Sequence, residues 1–308
     1  MTSNDVAASA ATAAPASWRL AGAPISWGIC EVPGWGFQMA PERVLSEMAQ
    51  LGLAATELGP PGWLAADGPA VRAALAAHGL ALVGGFVPLV LHEPDATATM
   101  AEAERVAAML AAGGAELFVA AAIVDAAWSP RVELTPAQWD LLCERLDALD
   151  ALVKQHGLTL ALHPHAGTLV EQAADMEQVL ARSQVGWCFD PGHLVIGGYD
   201  PVEFLDRHGE RVVHVHLKDV DAGVAERFRA GGLSLLDATR EGLFVRLGDG
   251  DGRIAEAVER LRAAGYAGWV VLEQDAALEA APADGQGPRA DVAACVDYLA
   301  SITDRGGR

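Results

Sequence analysis

Short apolar segments alternate with amphipathic segments along most of the chain. Eight continuously apolar segments predict β-strands at 20–28, 53–59, 80–91, 115–123, 158–165, 185–193, 211–219 and 268–275. Apolar residues with helical spacing predict helices at about 41–51, 68–78, 97–112, 135–156, 172–182, 200–208, 251–264 and 288–302. The segment 221–248 is a long insertion after the seventh strand, with room for one or two helical turns.

The strict alternation of strands and helices predicts an α/β fold built on a parallel sheet. Continuously apolar strands indicate that both faces of this sheet are covered. Eight strand–helix units predict closure into a (β/α)8 TIM barrel. An open doubly wound sheet is the alternative, and the lack of a glycine-rich phosphate turn after the first strand disfavours it. We expect one catalytic barrel domain at 19–303, between a disordered tail at 1–18 and a flexible tail at 304–308.

Composition and charge restrict the partners of the chain. Apolar residues make up 52% of the sequence, which is enough for a large core, and the formal net charge of −20 disfavours nucleic acid and anionic membranes as partners. No apolar stretch reaches the roughly 20 residues of a membrane span, and the N-terminus lacks the features of a signal peptide. The four cysteines form no CxxC motif, which is typical of a reduced cytoplasmic protein. We therefore expect a small-molecule partner in the cytoplasm. The sequence leaves open whether the chain forms a homo-oligomer.

Polar side chains follow the predicted strands at their carboxyl ends, which in a TIM barrel form the functional face. These residues are Glu57, His92, His163, His165, Asp190, His193, His214, His216, Lys218, Asp219, Glu273, Gln274 and Asp275. A charge at a buried strand position is costly unless it is paired or bound to a metal. Their coincidence on several strands therefore predicts a divalent cation. Imidazole and carboxylate groups suit Mn²⁺, Co²⁺, Fe²⁺ or Zn²⁺ rather than Ca²⁺.

Two motifs allow a finer prediction. His214 and His216 share one face of their strand, and His216, nearer the strand end, is expected to reach the mouth while His214 lies behind it. In "FDPGH", Asp190 ends a strand, and the Pro-Gly pair is expected to turn sharply and bring His193 over the mouth. A plain β-turn would have the same composition.

The motifs "FDPGH", "HVHLKD" and "VVLEQD" resemble the xylose-isomerase-like sugar phosphate isomerase/epimerase superfamily, which includes endonuclease IV. Within it, the chain is most similar to the inosose dehydratases (2-keto-myo-inositol dehydratases), through "APISWGICEVPGWGF", "VPLVLHEPD", "HPHAGT", "GLFVRLGDGD" and "AGYAGWVVLEQD". This resemblance covers nearly all of 20–300. It implies a xylose-isomerase-like TIM barrel that holds one metal ion with four side chains from strands five to eight.

Carried over residue by residue, the resemblance implies the metal ligands His163, Asp190, His216 and Glu273. His163 stands where the wider superfamily has glutamate, and His165 is then expected to face the substrate, although the reverse assignment of these two histidines stays open. Mn²⁺ or Co²⁺ is the expected ion, with Zn²⁺, Fe²⁺ and Mg²⁺ as alternatives.

The resemblance implies a metal-dependent hydro-lyase that acts on 2-keto-myo-inositol or a close cyclic polyol ketone. Imidazole in place of one carboxylate weakens the two-sided proton transfer of an epimerase and favours elimination, which needs one base and one acid. The expected acid–base residues, which the sequence does not rank, are Glu57, His193 and Lys218. The expected substrate-binding residues are Trp27, His92, His165 and Gln274, with Trp35 as an alternative to Trp27.

Three other functions are weighed against this one. A ketose or inosose epimerase or isomerase could use the same scaffold, and a barrel could bind a ligand without turnover. A DNA-repair endonuclease is disfavoured, because the chain is acidic and has no basic stripe.

Overall fold

The computed structural model describes residues 18–305 of the chain. Residues 1–17 of the predicted tail at 1–18 lie outside the described residues. The predicted tail at 304–308 begins within the last helix, which ends at Arg305. The strands are β1 Arg19–Gly22, β2 Ala55–Thr56, β3 Ala81–Leu82, β4 Phe86–Leu89, β5 Leu117–Ala122, β6 Thr159–Leu162, β7 Gly186–Phe189, β8 Val212–Leu217, β9 Asp219–Val220, β10 Phe244–Val245 and β11 Trp269–Leu272.

The helices follow the predicted order. They are α1 Pro41–Gln50, α2 Gly68–Ala76, α3 Thr97–Gly113, α4 Pro136–Gln155, α5 Ala173–Arg182, α6 Pro191–Ile196, α7 Pro201–His208, α8 Ala222–Arg229, α9 Leu235–Arg240, α10 Ile254–Ala263 and α11 Pro288–Arg305. Short 3₁₀ turns occupy Pro24–Trp27 and Gly209–Arg211. Among these helices of the described chain, none has the length and apolarity that crossing a membrane requires.

Nine parallel strands form one sheet in the order β3-β2-β1-β11-β8-β7-β6-β5-β4. The strands at the two ends of this order, β3 and β4, follow each other in the chain. Between them, Leu58 N donates to Gly84 O (2.9 Å) on one side, and Leu117 N donates to Val83 O (3.1 Å) on the other. The two strands are therefore halves of the predicted third strand, and the sheet closes through them. This closure confirms the (β/α)8 TIM barrel and excludes the open sheet.

The break in the third strand has a steric cause at Gly84. A Cβ atom on this residue would lie 2.6 Å from the carbonyl oxygen of Leu117, so only glycine allows the two backbones to approach this closely. The first predicted strand is also shorter than expected. It ends at Gly22, and Pro24, which has no N–H to continue the ladder, begins a 3₁₀ turn.

The motif "FDPGH" differs from its prediction. Instead of a sharp turn, it forms the N-terminus of α6, where Asp190 Oδ1 accepts a hydrogen bond from the backbone N–H of His193 (3.0 Å). Proline suits the first position of a helix and aspartate caps it, so the sequence fits this geometry equally well. The insertion after the seventh strand contains α8, α9 and β10, and β10 pairs antiparallel with β9.

Two apolar layers surround the sheet. The larger one fills the space between the strands and the helices, and it contains the buried Trp27, Phe118, Trp187 and Phe189. The smaller one lies on the opposite face of the strands and is rich in small side chains, among them Ala21, Ala55, Val83, Ala161, Cys188 and Val271. Because these side chains are small, the inner face leaves room for larger polar groups at the carboxyl ends of the strands.

Candidate active site

Strand alternation positions the polar cluster. Side chains of a strand point to opposite faces in turn, so a residue two positions after an inward-facing one also faces inward. His163, Asp190 and Glu273 follow the inward-facing Ala161, Cys188 and Val271 at this spacing. The ladder continues past the strands, since His163 N donates to Ala120 O (2.8 Å) and Glu273 N to Leu217 O (3.0 Å). These side chains therefore sit on rigid backbone.

The structure brings the four expected metal ligands together. Possible ligand atoms of His163, Asp190, His216 and Glu273 all lie within 4.8 Å of one another, and all four residues are buried. His163 Nε2 lies 3.3 Å from Asp190 Oδ2, and His216 Nδ1 lies 3.2 Å from Glu273 Oε2. Atoms that share one ion at about 2.1 Å must lie about 3–4 Å apart. The spacing therefore fits a single cation.

Unsatisfied polar atoms support the same conclusion. His163 Nε2, Asp190 Oδ2 and His216 Nδ1 are buried and have no hydrogen-bond partner among the described residues. An unpaired buried polar group costs about 1–3 kcal/mol, so native proteins rarely leave three together. Two imidazole nitrogens and a carboxylate oxygen are donors that a divalent transition ion prefers. The residues present thus fit a metal ion.

Asp190 uses both of its oxygens. Oδ1 caps α6, which leaves Oδ2 directed at the ligand group. Burial raises the pKa of Asp190, but Lys218 and His163 lower it further, so the pKa lies below its usual value. The group is therefore a carboxylate.

Glu57 lies behind His216 and not where a substrate would bind. Its Oε1 accepts hydrogen bonds from His216 Nε2 (2.9 Å) and His214 Nε2 (3.0 Å). Burial raises the pKa of Glu57, but these two imidazoles lower it to about 2. Although the sequence predicts an acid–base role for Glu57, this contact with two histidines favours an orienting role.

Lys218 is the cation at the centre of the cluster. Its Nζ lies 2.9 Å from Glu273 Oε2, 2.9 Å from Asp275 Oδ1 and 3.1 Å from His193 Nε2, and the residue is 1% exposed. Burial lowers the pKa of Lys218, but Asp275, Glu273 and Asp190 raise it well above its usual value. This environment disfavours the free-amine form that a lysine base requires and suits Lys218 as a hydrogen-bond donor.

The peptide group of Ala166 contacts two neighbouring histidines. Ala166 N donates to His193 Nδ1 (3.2 Å), and the Lys218 ammonium lies 3.1 Å from His193 Nε2, so a donor faces each nitrogen of His193. His165 Nδ1 contacts the carbonyl oxygen of Ala166 (2.8 Å), which can only accept, so His165 carries its proton on Nδ1. Burial lowers the pKa of both rings, that of His165 to about 3. His165 thus presents a lone pair on Nε2, whereas His193 lies against the Lys218 ammonium.

An aromatic wall flanks these histidines. The rings of His165 and His193 lie 4.1 Å apart, Phe86 lies 5.3 Å from His165, and Trp128 stacks on Phe86 at 6.3 Å. Trp128 has a φ of 56°, a left-handed conformation that costs about 1–2 kcal/mol for a side chain of this size. The backbone N–H of Trp128 donates to the carbonyl oxygen of Asp125 (3.1 Å), which holds the turn. The only sequence signal for Trp128 was its place in the loop after a strand.

Three expected substrate-binding residues are not placed in this cluster. Trp27 is fully buried, and its Nε1 donates to Glu47 on α1 (2.8 Å), so it packs between the sheet and the helices. Gln274 alternates away from Glu273, and its side chain lies near Cys295 Sγ on α11 (3.9 Å).

His92 is buried beside Glu93 (3.2 Å), with no hydrogen bond to the ligand group within residues 18–305. The alternative aromatic, Trp35, is 3% exposed, with its Nε1 donating to Ala276 O (2.9 Å).

Asp275 is a site residue that the sequence places at a strand end but to which it assigns no role. It is the next inward position after Glu273, and its Oδ1 contacts Lys218 Nζ. Burial raises the pKa of Asp275, Lys218 lowers it and Glu273 raises it, with a result of about 6. Period-two alternation along "LEQD" could have indicated it.

Comparisons with known proteins agree with this architecture. The family model of the xylose isomerase-like TIM barrels matches residues 45–294. The rhizopine catabolism protein MocC of Rhizobium meliloti is 34% identical over 268 residues, which cover 84% of this chain and 82% of that protein. Inosose dehydratase of Geobacillus kaustophilus (strain HTA426) is 32% identical over 271 residues, or 84% of this chain and 87% of the relative.

A solved structure shows the same fold. The crystal structure of the IOLI protein with a zinc atom bound superimposes with a TM-score of 0.69 at 14% sequence identity. The superposition covers 93% of this chain and 98% of that one.

Proposed function

Because the chain belongs to the xylose isomerase-like TIM barrel family, we propose that it is a metal-dependent hydro-lyase that removes water from 2-keto-myo-inositol or a close cyclic polyol ketone. One observation carries the proposal. The Lys218–His193 pair, which carries an ammonium, and a lone pair on the adjacent His165 lie beside four side chains suited to a divalent ion. An acid, a base and a charge-stabilising group are what an elimination next to a carbonyl requires.

The metal would be held by His163, Asp190, His216 and Glu273. We propose Mn²⁺ or Co²⁺, with Zn²⁺, Fe²⁺ and Mg²⁺ as the alternatives, and the zinc atom bound in the IOLI structure, which shares this fold, supports a divalent ion. When bound, the ion supplies Lewis acidity that makes a proton next to a ketone easier to remove. We propose His163 rather than His165 as the ligand, because His163 Nε2 lies 3.3 Å from Asp190 Oδ2 within the group of four possible ligands, which does not include His165.

The side chains of the cluster would divide the proton transfers. His165 Nε2, which carries the lone pair, takes the proton from the carbon next to the ketone, and the electron pair forms a carbon–carbon double bond. As the carbon–oxygen bond on the next carbon breaks, the Lys218–His193 pair gives a proton to the departing hydroxyl, which leaves as water. This proton comes from the Lys218 ammonium, whose Nζ lies 3.1 Å from His193 Nε2, and its loss leaves Lys218 as a neutral amine.

The remaining groups would bind the substrate. The faces of Phe86 and Trp128 suit the C–H bonds of a cyclic polyol. Lys218 is paired with Glu273 and Asp275, so the cluster retains no excess positive charge for a phosphate group. This charge distribution favours a neutral ketone over a sugar phosphate.

The test is to incubate the metal-loaded protein with a panel of inososes and ketoses and to measure product masses. A hydro-lyase lowers the mass by one water, and removal of the ion with a chelator abolishes the reaction. Products of unchanged mass would identify an epimerase or isomerase instead. Binding without turnover of any member of the panel would indicate a non-catalytic barrel.

A further inference from the structure

A second group of possible metal ligands lies directly behind the first. Ligand atoms of Glu57, His214 and His216 also lie within 4.8 Å of one another, and all three residues are buried. In this group, however, the facing atoms satisfy one another, because Glu57 Oε1 accepts from His216 Nε2 (2.9 Å) and from His214 Nε2 (3.0 Å). The unsatisfied ligand atoms belong to the first group. The second group therefore does not require an ion.

We infer that Glu57 is a positioning residue that keeps the proton of His216 on Nε2 and thereby directs the lone pair of Nδ1 at the metal position. A carboxylate oxygen that contacts two imidazole nitrogens can only accept, so each of these nitrogens carries a proton. A neutral imidazole has one N–H, which leaves Nδ1 of His216 as the ligand atom. This atom lies 3.2 Å from Glu273 Oε2 and 4.0 Å from Asp190 Oδ2.

The barrel interior explains how Glu57 reaches His216. Glu57 follows β2, whereas His216 lies on β8, and β1 and β11 separate these strands in the sheet. The inner residues of β1 and β2 include Ala21 and Ala55, whose small side chains leave the space that the glutamate crosses. Glu57 is 3% exposed, so solvent is largely kept from replacing its hydrogen bonds to the histidines. His214, held by the same oxygen, fixes the carboxylate from a second direction.

Partners that orient a metal-binding histidine typically change metal affinity 10–100-fold when they are removed. The experiment compares Glu57→Ala, Glu57→Gln and a control, Glu47→Gln. Glu47 is also a buried glutamate, and it accepts from Trp27 Nε1 (2.8 Å) and Arg43 Nε (2.9 Å), on the helix side of the sheet. Zn²⁺ is the probe, and a chromogenic chelator in competition reports affinity and stoichiometry.

We expect one Zn²⁺ per chain in the wild type and an affinity about 10–100-fold lower in Glu57→Ala. A smaller loss is expected in Glu57→Gln, whose amide oxygen can still accept a hydrogen bond, and none in Glu47→Gln. Two ions per chain, with one lost in Glu57→Ala, would show that the second group binds metal and would overturn the inference. If the alanine variant does not fold, the glutamine variant decides by the same comparison.

Histidine ¹⁵N spectra of the metal-free protein give a readout that does not depend on the ion or on turnover. Burial lowers the pKa of His216, but neighbouring acidic groups raise it above its usual value, so the spectra are recorded at a pH high enough for its imidazole to be neutral. The wild type should then show the His216 proton on Nε2, and Glu57→Ala should shift it toward Nδ1, with the signal assigned through a His216→Gln variant. A folded Glu57→Ala protein with the wild-type tautomer and Zn²⁺ affinity would refute the inference. Because neither measurement involves a substrate, this failure is distinct from a failure of the proposed reaction.

Discussion

Replacing either histidine of the proposed acid–base pair should block a different step. His165 and His193 are adjacent, with ring centres 4.1 Å apart, yet His165 presents a lone pair on Nε2, whereas His193 Nε2 faces the Lys218 ammonium. In His165→Gln the base is lost, so neither exchange of the carbon-bound proton nor loss of water should occur. In His193→Gln the base remains, so the proton should still exchange with solvent while water is not released.

The expected magnitude follows from the role of each group. General acid–base catalysis contributes about 10²–10⁴-fold, which corresponds to about 3–5.5 kcal/mol at 1.36 kcal/mol per tenfold change in rate. Both variants should therefore lose about 10²–10⁴-fold in kcat. Neither side chain is a proposed ligand, so Zn²⁺ content should stay at the wild-type level. His92→Gln is the matched control, because His92 is a buried histidine after a neighbouring strand with no hydrogen bond to the cluster among the described residues.

The assay is proton NMR in D₂O with 2-keto-myo-inositol, which follows exchange and dehydration in one sample. Exchange that persists in His165→Gln would refute His165 as the base. Loss of exchange in His193→Gln together with loss of dehydration would refute the division of labour between the two rings. A His92→Gln protein as impaired as the other two would show that the effect is structural.

Three further predictions concern the wall, the central lysine and the barrel closure. Trp128→Ala should raise KM more than it lowers kcat, because the stack on Phe86 is proposed to bind the ring face of the substrate, and an unchanged KM in steady-state kinetics would contradict this. Lys218→Met should lower the free energy of unfolding by about 3–5 kcal/mol, because it leaves Glu273 and Asp275 buried without their cation. Urea unfolding of the metal-free protein measures this loss, and a loss below about 1 kcal/mol would argue against the pairing. Gly84→Ala should destabilise the fold by about 1–3 kcal/mol, because its Cβ would meet a backbone oxygen that cannot move aside, and thermal unfolding with no decrease in Tm would refute the steric argument.

Much of the architecture could be predicted because the signals are local. Apolar periodicity over ten to twenty residues distinguishes strands from helices, and the helix predicted at about 135–156 is α4, which Thr135 caps. The gathering of polar residues at one end of the barrel follows from the rule that strand ends form one face, and the family resemblance selected His163, Asp190, His216 and Glu273 among them. Their proximity in space could thus be expected before any coordinates.

Roles that depend on a distant partner could not be predicted in this way. Glu57 and His216 are 159 positions apart, and nothing near "TELG" indicates that its carboxylate points at an imidazole and not at a substrate. Trp27 and Trp128 are both tryptophans in loops after strands, yet one contacts Glu47 in the core and the other stacks at the mouth.

The sequence by itself determined that polar side chains gather at the carboxyl end of the barrel, because the order and direction of the strands are set by patterns of consecutive residues. Only the tertiary structure decided which of these side chains bear a proton toward the centre and which orient a neighbour. Those roles depend on hydrogen bonds between strands that are far apart in the chain, and on the single peptide of Ala166, whose N–H and carbonyl meet two different rings.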